Sequence, residues 1–396
     1  MRFSSSFVGC NVWFVASQVH IFLKWLRYVI EEVVWYRPHV VLNMDETSLS
    51  TVKHAGKGFI SGRRRARQDR RLKPRDAADR HNTRTTYLAV VADCPELQPL
   101  LPQVILPKYT QHAVPPPAHL ATYASIGFPF EFWHRSQGCA TPRIVRDWAT
   151  RLRSVVRSFN NTAWMVLLLD CSTTHLCVET VQHLSRLGYI VVVIPSKLTW
   201  LLQLLDVYVF GRVKKDMRLG EARHRVLAAD GRVQPMDRMR IATDSIRRHV
   251  INRDWSSSFN KLGAGSDNCP RATSVREHCI ADPIARALPS LVEFAELVGR
   301  PAHTALTRRL HNHIIGTTLA LQQAPLEALP PVAAHVDLPV SLAAMEEVDR
   351  AQMEARPPHV TLNRFLDEAD RPMVRELNFH HPARNHMLAY PAPAPE

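Results

Sequence analysis

Cysteine pairs at metal-ligand spacing are missing. Seven cysteines stand at positions 10, 94, 139, 171, 177, 269 and 279 with no C-x-x-C pair among them. This excludes zinc-knuckle and zinc-finger spacing, and the odd, irregular set fits a reducing compartment better than a disulfide framework. No apolar run reaches the roughly 18 residues that a membrane helix needs. The nearest, residues 7–23, is broken by Asn11, Ser17, Gln18 and His20. It follows Arg2 and could pass for a secretory leader, but Lys24 and Arg27 continue its helical pattern and no good small-residue cleavage site ends it. Internal repeats are also lacking. Acid is in deficit: 36 Asp and Glu face 50 Lys and Arg, for a formal net charge of +14. That balance suits a polyanionic partner, usually nucleic acid, although ribosomal and membrane-surface proteins share it.

What is present is a core. Hydrophobic residues make up 46% of 396 positions, enough for one large domain or two smaller ones. Residues 16–36 place Val19, Phe22, Leu23, Leu26, Val29, Ile30 and Val33 at three- and four-residue steps, an amphipathic helix that Arg37-Pro38 ends. Residues 53–60 and 85–92 read as strands, and residues 102–119 as a proline-rich loop. A helix starts at Thr141-Pro142 and presents Ile144, Val145, Trp148, Leu152, Val155, Val156 and Phe159 to the core. Residues 166–169 form a buried strand. A helix carrying Leu176, Val181, Leu184 and Leu187 follows and closes at Gly188, and residues 191–194 form the next strand. Residues 238–250 are helical and basic. Residues 284–322 are compatible with helix, and proline pairs mark a weakly structured tail. Its histidines, His380, His381 and His386, lack partners at ligand spacing and read as solvated.

Two carboxylates end apolar runs. Val40-Val-Leu42 leads to Asp45, and Val166-Leu-Leu-Leu169 to Asp170. A carboxylate at the C-terminal end of a central strand points into the crevice where α/β proteins place their chemistry, though such an Asp is also an ordinary helix cap. Asp206 opens a third, helix-compatible segment after a proline-marked loop.

Three ordered blocks surround these acids: Asn43-Met-Asp-Glu-Thr47; Leu167-Leu-Leu-Asp170 with His175; and Pro195 through Lys215, containing Leu202-Gln-Leu-Leu-Asp206 and Val209-Phe-Gly211. They resemble the signatures of DDE superfamily endonucleases of the pogo, Tigger and jerky type. Order, spacing and flanking residues agree across about residues 16–265, and Trp255, Phe259 and Gly263 are similar to the segment closing that catalytic domain. The resemblance implies an α/β, ribonuclease-H-like fold: a mixed central sheet flanked by helices, with a helical, partly disordered C-terminal extension. The expected divisions are an N-terminal helix (1–36), an endonuclease domain (37–265) and the extension (266–396). The family usually carries helix-turn-helix modules upstream. Here only about fifteen residues precede the first helix, so either a catalytic core without its sequence-reading head or a truncated reading frame is expected.

The implied activity is metal-dependent phosphodiester hydrolysis and strand transfer on DNA. Asp45, Asp170 and Asp206 would be both catalytic residues and metal ligands, holding two Mg²⁺ or Mn²⁺ ions. Two such ions about 3.5–4 Å apart can serve the attacking and leaving oxygens together, and these hard cations prefer carboxylate oxygen. Asp45 takes the bridging role. Water attacks first, and the freed 3′-hydroxyl then attacks a second duplex. Asp216 competes for the third acid position but lacks the preceding Leu-Gln-x-Leu context. His175 either orients a bound water or phosphate or caps its own turn, and both readings stand. Glu46 reads as a polar residue at a strand exit.

Nucleic-acid contacts are expected from His175, Lys197, Gln203, Lys214 and Lys215. A further set lies in residues 63–75, where eight of thirteen positions are basic, including Arg63, Arg64, Arg65, Arg67, Arg70 and Arg71. That run suits backbone phosphate contact and equally a nuclear-import signal. The expected partner is double-stranded DNA in the nucleus, with homodimerisation open and no membrane. Departures from the family pattern are Cys171 for Asn, Ser48 for Gly, Ser196-Lys197 for Pro-Asn, and Leu204 for Pro. They keep a rival reading in play: a domesticated nuclear DNA-binding protein without turnover.

Overall fold

The computed structural model describes residues 12–49, 85–107, 116–134, 140–228, 231, 233–261, 263, 285–325 and 360–361. The expected strand at 53–60 and the basic run at 63–75 lie outside these residues.

Helix α1 (Val12–Tyr28) runs into a π-helical turn (Val29–Val34) and then into β1 (His39–Ser48). Strand β2 (Thr86–Ala92) returns antiparallel to β1, with Asp45 opposite Ala89. Two short strands, β3 (Gln103–Leu106) and β4 (Phe130–His134), widen the sheet on that side, with α2 (Pro117–Ile126) between them. Helix α3 (Pro142–Phe159) leads to β5 (Trp164–Leu169), and α4 (Val178–Arg186) leads to β6 (Tyr189–Val193). The six strands lie in the order β6-β5-β1-β2-β3-β4, and a two-residue strand, β7 (Val360–Thr361), pairs antiparallel to β4. This is a mixed, helix-flanked, ribonuclease-H-like sheet.

Every residue of β5 and β6 is buried. Parallel strands covered on both faces need such unbroken apolar runs. Gly188 closes α4 with φ of 77°, a left-handed conformation in which glycine pays no steric penalty. Strand β3 corrects the loop expected at 102–119. Prolines at 102 and 107 bracket four residues, and those four are enough for an edge pairing with β2 and β4.

After β6 the chain forms a short helix, α5 (Thr199–Leu202), a π-helical turn (Leu205–Val209), α6 (Phe210–Leu227), α7 (Pro235–Ile246) with a further π turn, and α8 (Ser256–Lys261). Helices α9 (Leu291–Val298) and α10 (Ala305–Gln322) were expected as part of an extension. They pack against α1, α4 and β6 instead. Phe294 is fully buried, with its ring edge-on to Trp25 and to His311. Lys24 pairs with Glu293 at 2.6 Å, and Gln18 donates to the Glu296 carbonyl at 3.0 Å. Buried Arg37 donates to the carbonyls of Leu321 and Ala324, at 2.8 and 2.5 Å, and lies 4.3 Å from the Trp164 ring centroid. A cation capping the last carbonyls of α10 is favourably placed in the helix dipole, so the residue that ends the N-terminal helix also anchors the last described one. Among the described residues no helix is long and apolar enough to cross a membrane.

Two predictions follow from this packing. Phe294→Ala should destabilise the whole unit by about 3–5 kcal/mol, as emptying a buried phenyl site does. A denaturant titration that left the main unfolding transition in place would show that α9 and α10 are independent of the sheet. The second concerns His183 on α4, whose Nε2 lies 2.8 Å from the Thr150 hydroxyl of α3. Burial, then the charges of Arg186 and Arg146, push it down to about 4. The unfolded chain therefore binds this proton more readily, and stability falls as pH drops from about 6.5 toward 4. His183→Gln should lose less stability than wild type between pH 7 and 5; equal losses would refute the assignment.

Candidate active site

The acids are positioned by strand register. Strands β1 and β5 are parallel, with Asn43 opposite Leu168. Asp45 lies two residues further along β1, which runs on to Ser48, and Asp170 directly follows Leu169, the last residue of β5. β6 continues the layer, its Ile194 amide donating to the Leu169 carbonyl at 2.7 Å. Asp206 arrives from the other side of the chain, in the π-helical turn after α5, where the Phe210 amide donates to the Leu205 carbonyl. Single π turns recur at functional sites, because the wider loop re-aims one side chain.

Charge links the three acids to one another. Burial, then the charges of Asp170 and Asp206, push Asp45 up to about 7, although its carboxylate accepts the Glu46 amide at 2.7 Å. Asp206 is also raised, by partial burial and by Asp170, against the opposing effects of the Thr199 hydroxyl and Lys214. Lys214 is lowered by burial and partly restored by Asp206 and Asp45. The lysine therefore faces the acids. Lys197 and Lys215 are exposed.

Asp170 behaves differently. Burial alone would raise it, but the hydrogen bond and charge of His175, together with the Ser172 amide, hold it below the usual carboxylate range. His175 is 1% exposed, with Nδ1 2.5 Å from Asp170 and Nε2 3.3 Å from Glu46. Burial disfavours its charged form, yet hydrogen bonds to Asp170 and Glu46 and their charges push it up to about 10. It is an imidazolium clasped between two carboxylates. This answers the open question about His175. Its ring nitrogens serve Asp170 and Glu46, so it neither caps its own turn nor faces a phosphate. Glu46, taken from the sequence as a plain strand-exit residue, is the clasp's other arm.

Gln203 also requires correction. It is fully buried rather than presented to a phosphate. Its Nε2 donates to the Met44 carbonyl at 3.2 Å, and its Oε1 accepts from Asn43 Nδ2 at 3.3 Å. Asn43 Nδ2 also donates to the Leu168 carbonyl at 3.2 Å, and Asn43 Oδ1 accepts the Leu205 amide at 3.1 Å. One pair of buried amides thus ties β1, β5 and the turn carrying Asp206. A lone Asn inside a buried run was the available signal, since such a group must find partners. Asp216 is drawn away by Arg248 at 3.2 Å and His249 at 3.5 Å. Cys171, at the departure from the expected Asn, shares its one thiol proton between the carbonyls of Ile194 at 3.1 Å and Leu297 at 3.5 Å.

Residues 87–255 match the family model described as DDE superfamily endonuclease. That segment belongs to the DDE superfamily endonucleases. The endonuclease match takes in Asp170 and Asp206 and begins after β1, so Asp45 is joined to them by the sheet rather than by the match. No curated protein and no solved structure matches the chain.

The buried amide pair yields a prediction. Asn43→Leu strands the Leu205 amide and leaves Gln203 without a donor, so stability should fall by about 1–3 kcal/mol per orphaned group. Equilibrium unfolding in urea checks this, and an unchanged midpoint would remove the network from the account.

Proposed function

We propose that the chain is a metal-dependent DNA endonuclease of the transposase type, hydrolysing a phosphodiester and transferring the freed end, with Asp45, Asp170 and Asp206 as its acids. The observation that supports this best is the pairing of parallel β1, which carries Asp45, with β5, which Asp170 directly follows, together with an Asp206 near enough to raise Asp45. Three carboxylates linked by their charges, with hard oxygen donors and no thiolate among them, suit Mg²⁺ or Mn²⁺. Among the described residues no three His, Cys, Asp or Glu side chains are gathered around a single metal position. A two-ion arrangement asks for less: Asp45 shared, with Asp170 completing one pair and Asp206 the other. When bound, such ions supply charge stabilisation to the attacking and leaving oxygens.

The protein's own groups do the rest. His175, itself held by Glu46, fixes one oxygen of the Asp170 carboxylate. Asn43 and Gln203 hold the Asp206 turn against β1. Lys214 offers a charge to the phosphate on the same side. Double-stranded DNA is the proposed substrate, and the net charge of +14 supports a polyanion. We extend the reading to the nucleus on the strength of the basic run at 63–75. A homodimer remains compatible with strand transfer, which joins two DNA segments.

The test is cleavage of a plasmid or duplex oligonucleotide by purified protein with Mg²⁺ or Mn²⁺. Wild type should nick it and Asp170→Asn should not, with DNA affinity retained. Identical behaviour of the two proteins defeats the enzymatic reading. Salt-sensitive, metal-independent binding without cleavage by wild type selects the non-catalytic DNA-binding reading instead.

A further inference from the structure

Tryptophan is seldom left in water, because its large ring is worth most when buried. Among the described residues Trp25, Trp133, Trp148, Trp164 and Trp255 are buried and Trp35 is 36% exposed, whereas Trp200 is 59% exposed. Its position is constrained from both sides. Leu198 and Leu202 point inward at 3% and 1% exposure, so the single turn of α5 turns Trp200 outward. The preceding residue, Thr199, donates its hydroxyl to Asp206. The ring therefore stands on the short turn that is hydrogen-bonded to the third acid. Nothing in the core needs it there.

The backbone entering this turn is also unusual. Lys197 has φ of 67°, in the left-handed region, and is the one non-glycine residue there among the described residues. Side chains rarely accept that conformation, and residues held in it cluster at functional sites. Its effect is local: Leu198 is sent into the core while Lys197 stays exposed. Lys214 and Lys215 add charge from α6, Lys214 being close enough to feel Asp206 and Asp45. The surface beside the acids thus combines an open aromatic face with ammonium groups. That pairing recognises an unpaired nucleotide, whose base stacks while its phosphate meets the cations.

We propose that Trp200 is a stacking platform for an unpaired DNA base next to the phosphate held at Asp45, Asp170 and Asp206, with Lys197 gripping the adjacent backbone. The proposal rests on the nuclease reading for the placement of the strand. It adds the form of the substrate: a duplex opened, flapped or frayed at the scissile position. A fully paired base offers no face to the ring, so Trp200 discriminates open from closed DNA without reading sequence.

The experiment uses the full chain in EDTA, so that binding is measured without cleavage. The probes are a single-stranded oligonucleotide, a duplex with a short single-stranded flap carrying 2-aminopurine, and a blunt duplex of the same sequence. Wild type should bind the open probes more tightly than the blunt duplex and quench the 2-aminopurine. Trp200→Ala should weaken open-probe binding about tenfold, in line with the loss of one stacked base, and should abolish the quench. Its blunt-duplex affinity should stay within about twofold, and Trp200→Phe should recover most of both signals. Exposure of the ring means that Trp200→Ala should unfold at the wild-type midpoint, which separates the effect from misfolding. Asp170→Asn should quench as wild type does, so an inactive nuclease with an intact platform is distinguishable from a failed platform. An unchanged quench in Trp200→Ala, or an equal loss on blunt and open probes, overturns the proposal.

Discussion

Two parallel strands in fixed register set everything else at this site. Because β1 and β5 pair with Asn43 beside Leu168, the chain has no freedom over where Asp45 and Asp170 emerge. A slip of one residue would turn every side chain of a strand to its opposite face, and would part Asp45 from Asp170. The register is held by apolar runs that are buried throughout β5 and β6 and through most of β1, so the hydrophobic effect that stabilises the sheet also aligns the acids. The cost is electrostatic. Burial first, and then the charges of Asp170 and Asp206, raise Asp45 to about 7.

Two devices moderate it. The His175 imidazolium lies between Asp170 and Glu46 and lowers Asp170 while its neighbours rise. The acids are thereby made unequal: Asp170 is held below the usual carboxylate range, whereas Asp45 and Asp206 stay above it. The Asn43–Gln203 pair is uncharged but acts on the same problem. It fastens the Asp206 turn to β1 through groups that would be costly to leave unpaired, so the turn cannot swing away to reduce the repulsion. A site that resists its own relaxation favours whatever positive charge enters it, whether a cation or the lysines lining its edge.

Much of this was legible in the residues. The strands ending at Asp170 and at Ile194 are continuous apolar runs bounded by turn signals, which is how buried parallel strands read. The acids were visible because a charged residue directly after such a run has few ordinary reasons to be there. Gln203 was misread because polarity alone suggests exposure. Its partners, Asn43 and Met44, lie some 160 positions earlier, and no local pattern encodes that. The same holds for α9 and α10. Their helical character was evident, but their docking depends on Arg37, Trp25 and Lys24, which only the fold brings near. Strand β3 was hidden for the opposite reason: its flanking prolines are strong local signals for a loop, and edge pairing overrode them.

The docking of α9 and α10 bears on the site itself. The Leu297 carbonyl accepts both the Ser196 amide, at 2.7 Å, and the Cys171 thiol. One atom of α9 thus braces the residue after Asp170 and the loop that leads to Lys197 and Trp200. Gly299 comes against Ser196 at the end of the same helix, where φ of 63° and the nearby hydroxyl leave little room for a larger residue. Burial pushes the Cys171 thiol up to about 12, which makes it an unreactive donor whose hydrogen bonds tie its loop to α9. Cys171, where the resembled family has Asn, is thus part of a brace between the second acid and a helix beyond the matched segment. The departures at 171 and 195–197 fall on loops that α9 holds from outside, through the Leu297 carbonyl.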